Sequence, residues 1–343
     1  MIPDKVKEIL KKQHYAIAGK HSAVQVCRWT KKSLLDEGVC YKEKFYGIKS
    51  HLCCQMSPAV MWCPNRCVHC WRATELTIDS ELRPHYVQSG SSGRRVKEDI
   101  DSPKEIIDKC IEAQRKLLIG FNVDEESKKK QLSRANMKKY LEAQEPMQFA
   151  ISLSGEPMVY EKIGELIDEL RKRGKTSFLV TNGLYPEKLE EMKNKKQLPT
   201  QLYISVNTPN KELYNKFHRS SKKDAWERLN KSLEIMSKLK TRTVFRMNLV
   251  KNLNMNPEMA EEYAEMIKKT NPMFVEIKGF MSVGFARQRL GYERMPYHKD
   301  IVDFANAILK FLPEYKFLDE KKESRVVLLG KDKKDMMIKK NQY

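Results

Sequence analysis

The sequence predicts an α/β fold: a partial (β/α)6 barrel of the TIM type with an N-terminal cysteine-rich extension and a small basic C-terminal extension. Three observations predict it. From Lys104 onward, segments of helical period alternate with short apolar runs of strand period, the pattern of repeated βα units around a parallel sheet. Six strand-like runs can be counted, fewer than a closed eightfold barrel needs. Polar or glycine residues follow successive runs, where sheets of this kind carry their binding groups.

The elements follow in order. Met1 to Lys12 is amphipathic and charged, without an apolar signal core, and no apolar run approaches the roughly 18 residues of a membrane helix. The chain is therefore expected in the cytoplasm, off the membrane. The first strand is expected at Ala59 to Trp62. Later strands are expected at Gln148 to Ser152, Thr176 to Val180, Gln201 to Val206, Val244 to Leu249 and Phe274 to Ile277. Helices are expected near 103–119, 157–173, 186–195, 222–239, 257–269 and 299–311. In Pro157 to Arg173 the residues Val159, Ile163, Leu166, Ile167 and Leu170 make one apolar stripe, and Gly174 supplies a stop. Ser89 to Arg95 reads as an exposed loop and Asp124 to Glu145 as a charged helical insertion. Tyr315 to Lys340 holds one strand-like run, Arg325 to Leu329, among many lysines, and reads as a basic cap. The expected division is 1–55, 56–290 and 291–343.

The chain has 343 residues, 41% of them hydrophobic, enough for a sizeable core. Lys and Arg total 65 against 45 Asp and Glu, a formal charge of +20 that suits a polyanion such as nucleic acid. Lysine-rich solvated helices are the bland alternative, and the Lys-Glu interleaving at 186–196 has that character. The eight cysteines crowd toward the front of the chain, which favours metal ligation over disulfides.

Cys63, Cys67 and Cys70 stand in a C-x3-C-x2-C spacing that can grip three corners of a four-iron cluster. The unligated iron could chelate a small molecule and pass it an electron. A zinc knuckle completed by His69 or by a distant fourth ligand fits the same letters. With a strand ending at Trp62, the loop would lie on the carboxyl rim of the barrel. Ser154-Gly155-Glu156, Thr181-Asn182-Gly183, Asn207-Thr208 and Lys278-Gly279 would share that rim, although each alone is an ordinary turn signal. Glu156 could pair with an ammonium in a partly dry pocket or simply favour a helix N-terminus. Cys110 shares a helix with Ile106, Ile107 and Leu117 and reads as core.

The three-cysteine loop after a first strand resembles the radical S-adenosylmethionine (SAM) superfamily. That resemblance implies that Cys63, Cys67 and Cys70 bind a four-iron (4Fe-4S) cluster whose open iron chelates SAM. Ser154-Gly155-Glu156-Pro157 resembles the superfamily's Gly-Gly-Glu-Pro turn, with Ser154 for the first glycine, and implies that Glu156 receives the ammonium of SAM. Thr181, Asn182, Ser205 and Asn207 would then reach its ribose and carboxylate. His69 stands where the superfamily usually has an aromatic residue.

More specific are Cys27-Arg28-Trp29-Thr30, Cys40-Tyr41-Lys42, the run Phe45 to Cys53, and Cys63 to Arg72. From about Ala23 to about Gly291 the chain resembles the tRNA 4-demethylwyosine synthase family. The resemblance implies a radical lyase that condenses N1-methylguanosine, beside the anticodon of tRNA(Phe), with C2 and C3 of pyruvate to form a tricyclic wyosine precursor. It implies a second 4Fe-4S cluster on Cys27, Cys40 and Cys53, with Cys54 contending for the third position. Pyruvate would be held as a Schiff base on Lys42, with Lys49 as second choice, or on the vacant iron of the second cluster. Eukaryotic relatives carry a flavodoxin-like domain for which this chain has no room, so an external donor of the flavodoxin or ferredoxin type is expected, as is a monomer. Arg94, Arg95, Lys128 to Lys130 and the C-terminal lysines would track tRNA phosphates. The alternatives are another radical tRNA-modifying enzyme, such as a methylthiotransferase, and a non-catalytic zinc-stabilised RNA-binding protein.

Overall fold

The apolar runs assemble into one continuous sheet. The computed structural model describes residues 2–78, 85–89, 94–98, 100–123 and 134–342, with 85–89, 94–98 and 341 described by backbone alone. Its strands are β1 (Ala16–Ala18), β2 (Ser22–Val24), β3 (Cys53–Ser57), β4 (His85–Ser89), β5 (Arg94–Glu98), β6 (Gln148–Ile151), β7 (Thr176–Thr181), β8 (Gln201–Ser205), β9 (Arg242–Leu249), β10 (Phe274–Gly279), β11 (Lys316–Lys321) and β12 (Val326–Gly330). Ten of them form a sheet in the order β1-β2-β3-β6-β7-β8-β9-β10-β12-β11, and β4 pairs with β5 as a separate hairpin. The central strands β3 and β6 to β10 are all parallel. Among the described residues no pairing joins β1 to β11. The sheet is therefore an open six-stranded parallel barrel with antiparallel strands on both edges, as a partial (β/α)6 barrel requires.

Three expectations need correction. The first parallel strand is Cys53–Ser57, not Ala59 to Trp62. Residues 59–62 are buried and apolar because they fold under the rim, where Trp62 makes an isolated bridge to Ile78. The real strand looked poorer because its two faces differ, cysteine and glutamine alternating with buried side chains. The boundary expected at 55/56 thus runs through β3. The C-terminal run is likewise no separate cap, since all five residues of β12 are buried and pair antiparallel with β10, covering an edge that would otherwise be open.

The helices pack mainly outside the sheet. The expected helix 157–173 is a short 3-10 turn, Pro157–Val159, followed by a helix over Ile163–Lys172. Ile163, Leu166, Ile167 and Leu170 are fully buried against the sheet, each worth about 1.5–3 kcal/mol of transfer free energy. Pro103–Leu118 starts with a Ser102/Glu105 capping box and buries Cys110, as its apolar stripe predicts. Lys211–His218 is a helix the sequence reading missed. One short helix, Tyr41–Tyr46, lies inside the barrel, where Tyr41, Phe45 and Tyr46 cluster with Phe178, Tyr203, Val244 and Phe274. Gly47, with φ +74°, ends that helix in a left-handed cap open to glycine.

Of the segments read as a loop and an insertion, Ser89, Arg94 and Arg95 belong to the β4-β5 hairpin and Met137–Glu142 is a helix. The side chains of Arg94 and Arg95, and residues 128–130 entirely, lie outside the described residues.

Candidate functional site

At the carboxyl ends of the parallel strands lies a cavity of about 1290 Å³, counting its open mouth. Cys63, Cys67 and Cys70 line it together with Ser154, Gly155, Glu156, Thr181, Asn182, Ser205 and Asn207. Every rim residue singled out in the sequence for a cofactor therefore meets the three thiols in one place. Gly155 makes this possible. Its φ is +73°, and a Cβ there would lie 2.1 Å from the carbonyl oxygen of Ala59 and 2.7 Å from that of Trp62.

Glu156 is buried at the centre of the rim. Its Oε1 accepts from Thr181 Oγ1 at 2.6 Å and from Met158 N at 3.1 Å, and its Oε2 accepts from Asn182 N at 2.7 Å. Burial nevertheless pushes its carboxyl up to about 7. A cation arriving on Oε2 would reverse that push. Thr181, Asn182 and Asn207 are less free than the resemblance implies. Thr181 donates to Glu156, Asn182 Oδ1 accepts from Leu184 N at 3.0 Å, and Asn207 Oδ1 accepts from Asn248 N at 2.9 Å. These three build the rim, while no such bond ties up the Ser205 hydroxyl among the described residues.

Asn65 N, at 3.4 Å, and Asn182 Nδ2, at 3.9 Å, donate to the sulfur of Cys63, and Cys67 Sγ lies 3.1 Å from His218 Nδ1. Burial holds all three thiols above their ordinary range, so metal binding there must release protons. Arg289 threads the loop. Its guanidinium donates to the carbonyls of Val68, Cys70 and Arg72 and pairs with Glu75 at 3.0 Å. His69 stacks on Phe217 with centroids 4.8 Å apart, and burial pushes it down to about 3, so it is neutral.

Among the described residues no three of His, Cys, Asp and Glu stand close enough to share a single metal ion. Three thiols within eight residues are instead a donor set that suits a cluster, whose thiolates bind separate irons. The buried Nδ1 of His69 and Nε2 of His218, beside the loop, have no hydrogen-bond partner among the described residues. The donor set and its surroundings therefore fit an iron–sulfur cluster.

The second cysteine trio lies within the barrel. Cys53 faces inward from β3, and Cys27 and Cys40 precede the helices Arg28–Leu34 and Tyr41–Tyr46. The three are close enough to act on one another electrostatically; burial, reinforced by Cys27, raises Cys40 to about 11 and Cys53 to about 12. Cys54 points the other way, into the layer that holds Cys110. Lys42 is half-buried. Its Nζ sits 4.8 Å from the ring centre of Phe178 and 4.7 Å from that of Tyr203, and burial lowers its pKa. Lys49 is instead on the surface, 61% exposed and 3.9 Å from Glu142, so the structure removes it from the interior.

The sequence reading missed Arg246 and Glu276 and took Lys278 only as a rim residue, whereas it does not line the rim cavity. All three face the interior from β9 and β10, and Arg246 also lines the rim cavity. Charged residues at alternate positions of Phe274–Gly279, an otherwise apolar strand, were the available signal.

A family model for the radical SAM superfamily matches residues 58–267, and one for wyosine base formation matches residues 269–331. The S-adenosyl-L-methionine-dependent tRNA 4-demethylwyosine synthase of Pyrococcus abyssi is 46% identical over 334 residues, covering 97% of this chain and 91% of the relative. A solved structure of TYW1 with a lysine-pyruvate adduct bound superposes with a TM-score of 0.79 at 32% identity, covering 99% of both chains. A crystal structure of archaeal TYW1 gives 0.71 at 30% identity, over 96% of this chain and 97% of the other.

Proposed function

The chain belongs to the tRNA 4-demethylwyosine synthase family of the radical SAM superfamily, and on that premise we propose how its barrel performs the family's reaction. It is a radical SAM enzyme that uses SAM and an iron–sulfur cluster. It joins C2 and C3 of pyruvate to N1-methylguanosine in tRNA, forming the tricyclic wyosine precursor. The methylthiotransferase and zinc-stabilised RNA-binding alternatives are thereby set aside.

Cys63, Cys67 and Cys70 would hold the radical-forming cluster, and Cys27, Cys40 and Cys53 a second one. When bound, the first cluster and SAM supply one-electron reductive cleavage and hence a radical able to take hydrogen from the methyl group of the base. Glu156 receives the ammonium of SAM on Oε2, its other bonds fixing the carboxylate in place. Thr181, Asn182 and Asn207 hold the walls of that pocket, and Ser154, Gly155 and Ser205 offer it backbone and hydroxyl groups.

Lys42 holds pyruvate. Its neutral amine adds to the C2 carbonyl, water leaves, and an imine remains that keeps C3 beside the rim cavity. The depressed pKa of Lys42 supports this, as does the lysine-pyruvate adduct in the related TYW1 structure. The tRNA approaches a chain of formal charge +20, and its target base leaves the stack to reach the cavity. A flavodoxin- or ferredoxin-type protein would supply the electrons that the radical-forming cluster needs. We place this activity in a cytoplasmic monomer; no described helix is long and apolar enough to cross a membrane.

The observation that carries the reading is the meeting of the three loop thiols and the Glu156 rim in one cavity. The test is mass spectrometry of N1-methylguanosine tRNA after anaerobic incubation with SAM, reductant and carbon-labelled pyruvate. Label from C2 and C3 is expected in the base, and label from C1 is expected to be lost. A base without label contradicts the reading.

A further inference from the structure

Three cations gather in the barrel interior between the two cysteine trios. Register pairs Ser205 with Arg246 and Arg246 with Glu276 across β8, β9 and β10, and the two-residue strand period puts Lys278 on the face of Glu276. Lys42 and Lys278 both have Arg246 and Glu276 as charged neighbours. Three cations therefore surround one carboxylate, with the thiols of Cys27, Cys40 and Cys53 as the other acidic neighbours.

That carboxylate is already engaged. Glu276 is fully buried, its Oε1 accepting from Tyr46 Oη at 2.7 Å and its Oε2 from Tyr41 Oη at 3.1 Å. The ammonium of Lys42 rests over aromatic rings, and that of Lys278 lies 4.9 Å from the ring centre of Tyr41. Among the described residues none of the three cations makes an ion pair. Half-buried cations without a direct ion pair are costly unless an anion completes the site. A guanidinium fork and a nearby ammonium match a carboxylate in both shape and charge.

We propose that Arg246 and Lys278 seat the carboxylate of the 2-oxo acid whose carbonyl meets Lys42. The assignment rests on Lys42 as the lysine that holds pyruvate. Pyruvate carries this anion next to the carbonyl that reacts, so one small molecule satisfies the amine and the two spare cations together. The carboxylate of SAM is the rival anion, because Arg246 lines the rim cavity. Lys278 does not line that cavity, which places the pair on the Lys42 side.

The test uses cluster-loaded protein under anaerobic conditions. Calorimetry gives the affinities for pyruvate, for its neutral amide pyruvamide and for SAM, and borohydride trapping in parallel reports the imine. Arg246→Gln and Lys278→Gln should each weaken pyruvate binding by about tenfold to a hundredfold, the worth of a charge-assisted hydrogen bond, and leave pyruvamide unchanged. Arg246→Lys should restore part of the loss. Unchanged pyruvate affinity overturns the proposal. So does an equal loss for pyruvate and pyruvamide, which a merely structural role would give, and so does a loss confined to SAM. Charge-dependent pyruvate binding without a trapped adduct would refute the imine at Lys42 and leave the anion seat standing.

Discussion

The backbone amide of Glu156 donates to the carbonyl of Trp62 at 2.6 Å, which ties the turn after β6 to the residue that precedes Cys63. The pocket wall and the cysteine loop are therefore one unit. Gly155→Ala should break it, because the new Cβ meets the carbonyls of Ala59 and Trp62 in a left-handed backbone that alone costs about 1–2 kcal/mol. A lowered thermal midpoint and reduced iron content at the loop are the expected results, read by calorimetry and iron assay.

Glu156 gives the site a pH dependence. Burial raises its carboxyl from 4.5 to about 7, so the folded protein binds this proton more tightly than the unfolded chain does. Its contribution to stability in protein without SAM is full below the ordinary carboxyl range and fades as pH rises toward 7. SAM binding should strengthen over the same rise, as the carboxylate proposed to receive the ammonium forms. Affinities measured across that range should show the slope in the native protein and lose it in Glu156→Gln.

Arg289 touches none of the proposed ligand thiols, yet it holds the carbonyls of Val68, Cys70 and Arg72. Arg289→Ala should loosen the loop, with each lost charge-assisted bond worth about 1.5–3 kcal/mol. Arg289→Lys should recover little, because an ammonium cannot span three carbonyls as a fork does. The electron paramagnetic resonance signal of the reduced radical cluster is the readout, and it should broaden or diminish while the signal of the other cluster persists.

Two trios predict two separable clusters. Replacing Cys27, Cys40 and Cys53 together with alanine should leave about half of the native iron, and so should replacing Cys63, Cys67 and Cys70, since each trio is proposed to serve one four-iron cluster. Iron and sulfide assays on reconstituted protein check this. Native iron content after the first replacement would rule out the second cluster.

The sequence displayed the parallel repeat plainly, because strands buried on both faces read as continuous apolar runs such as Gln201 to Val206. It hid β3, whose inward face carries Cys53 and Gln55 where a core strand would carry aliphatic side chains. The local C-x3-C-x2-C loop could be read directly, since its ligands are neighbours in the chain. The meeting of Arg246, Glu276 and Lys278 could not, because it depends on strand register. Lys42 and Lys49 are equivalent as letters. Only the helix Tyr41–Tyr46 inside the barrel separates them, placing one over Tyr203 and the other beside Glu142 at the surface.

The central claim is that the lysine between the two cysteine trios is where pyruvate is held. Borohydride trapping of labelled pyruvate, followed by peptide mapping, tests it most directly. The label should fall on the peptide containing Lys42, persist in Lys49→Ala and vanish in Lys42→Ala. Label on any other lysine, or label that survives Lys42→Ala, would contradict it.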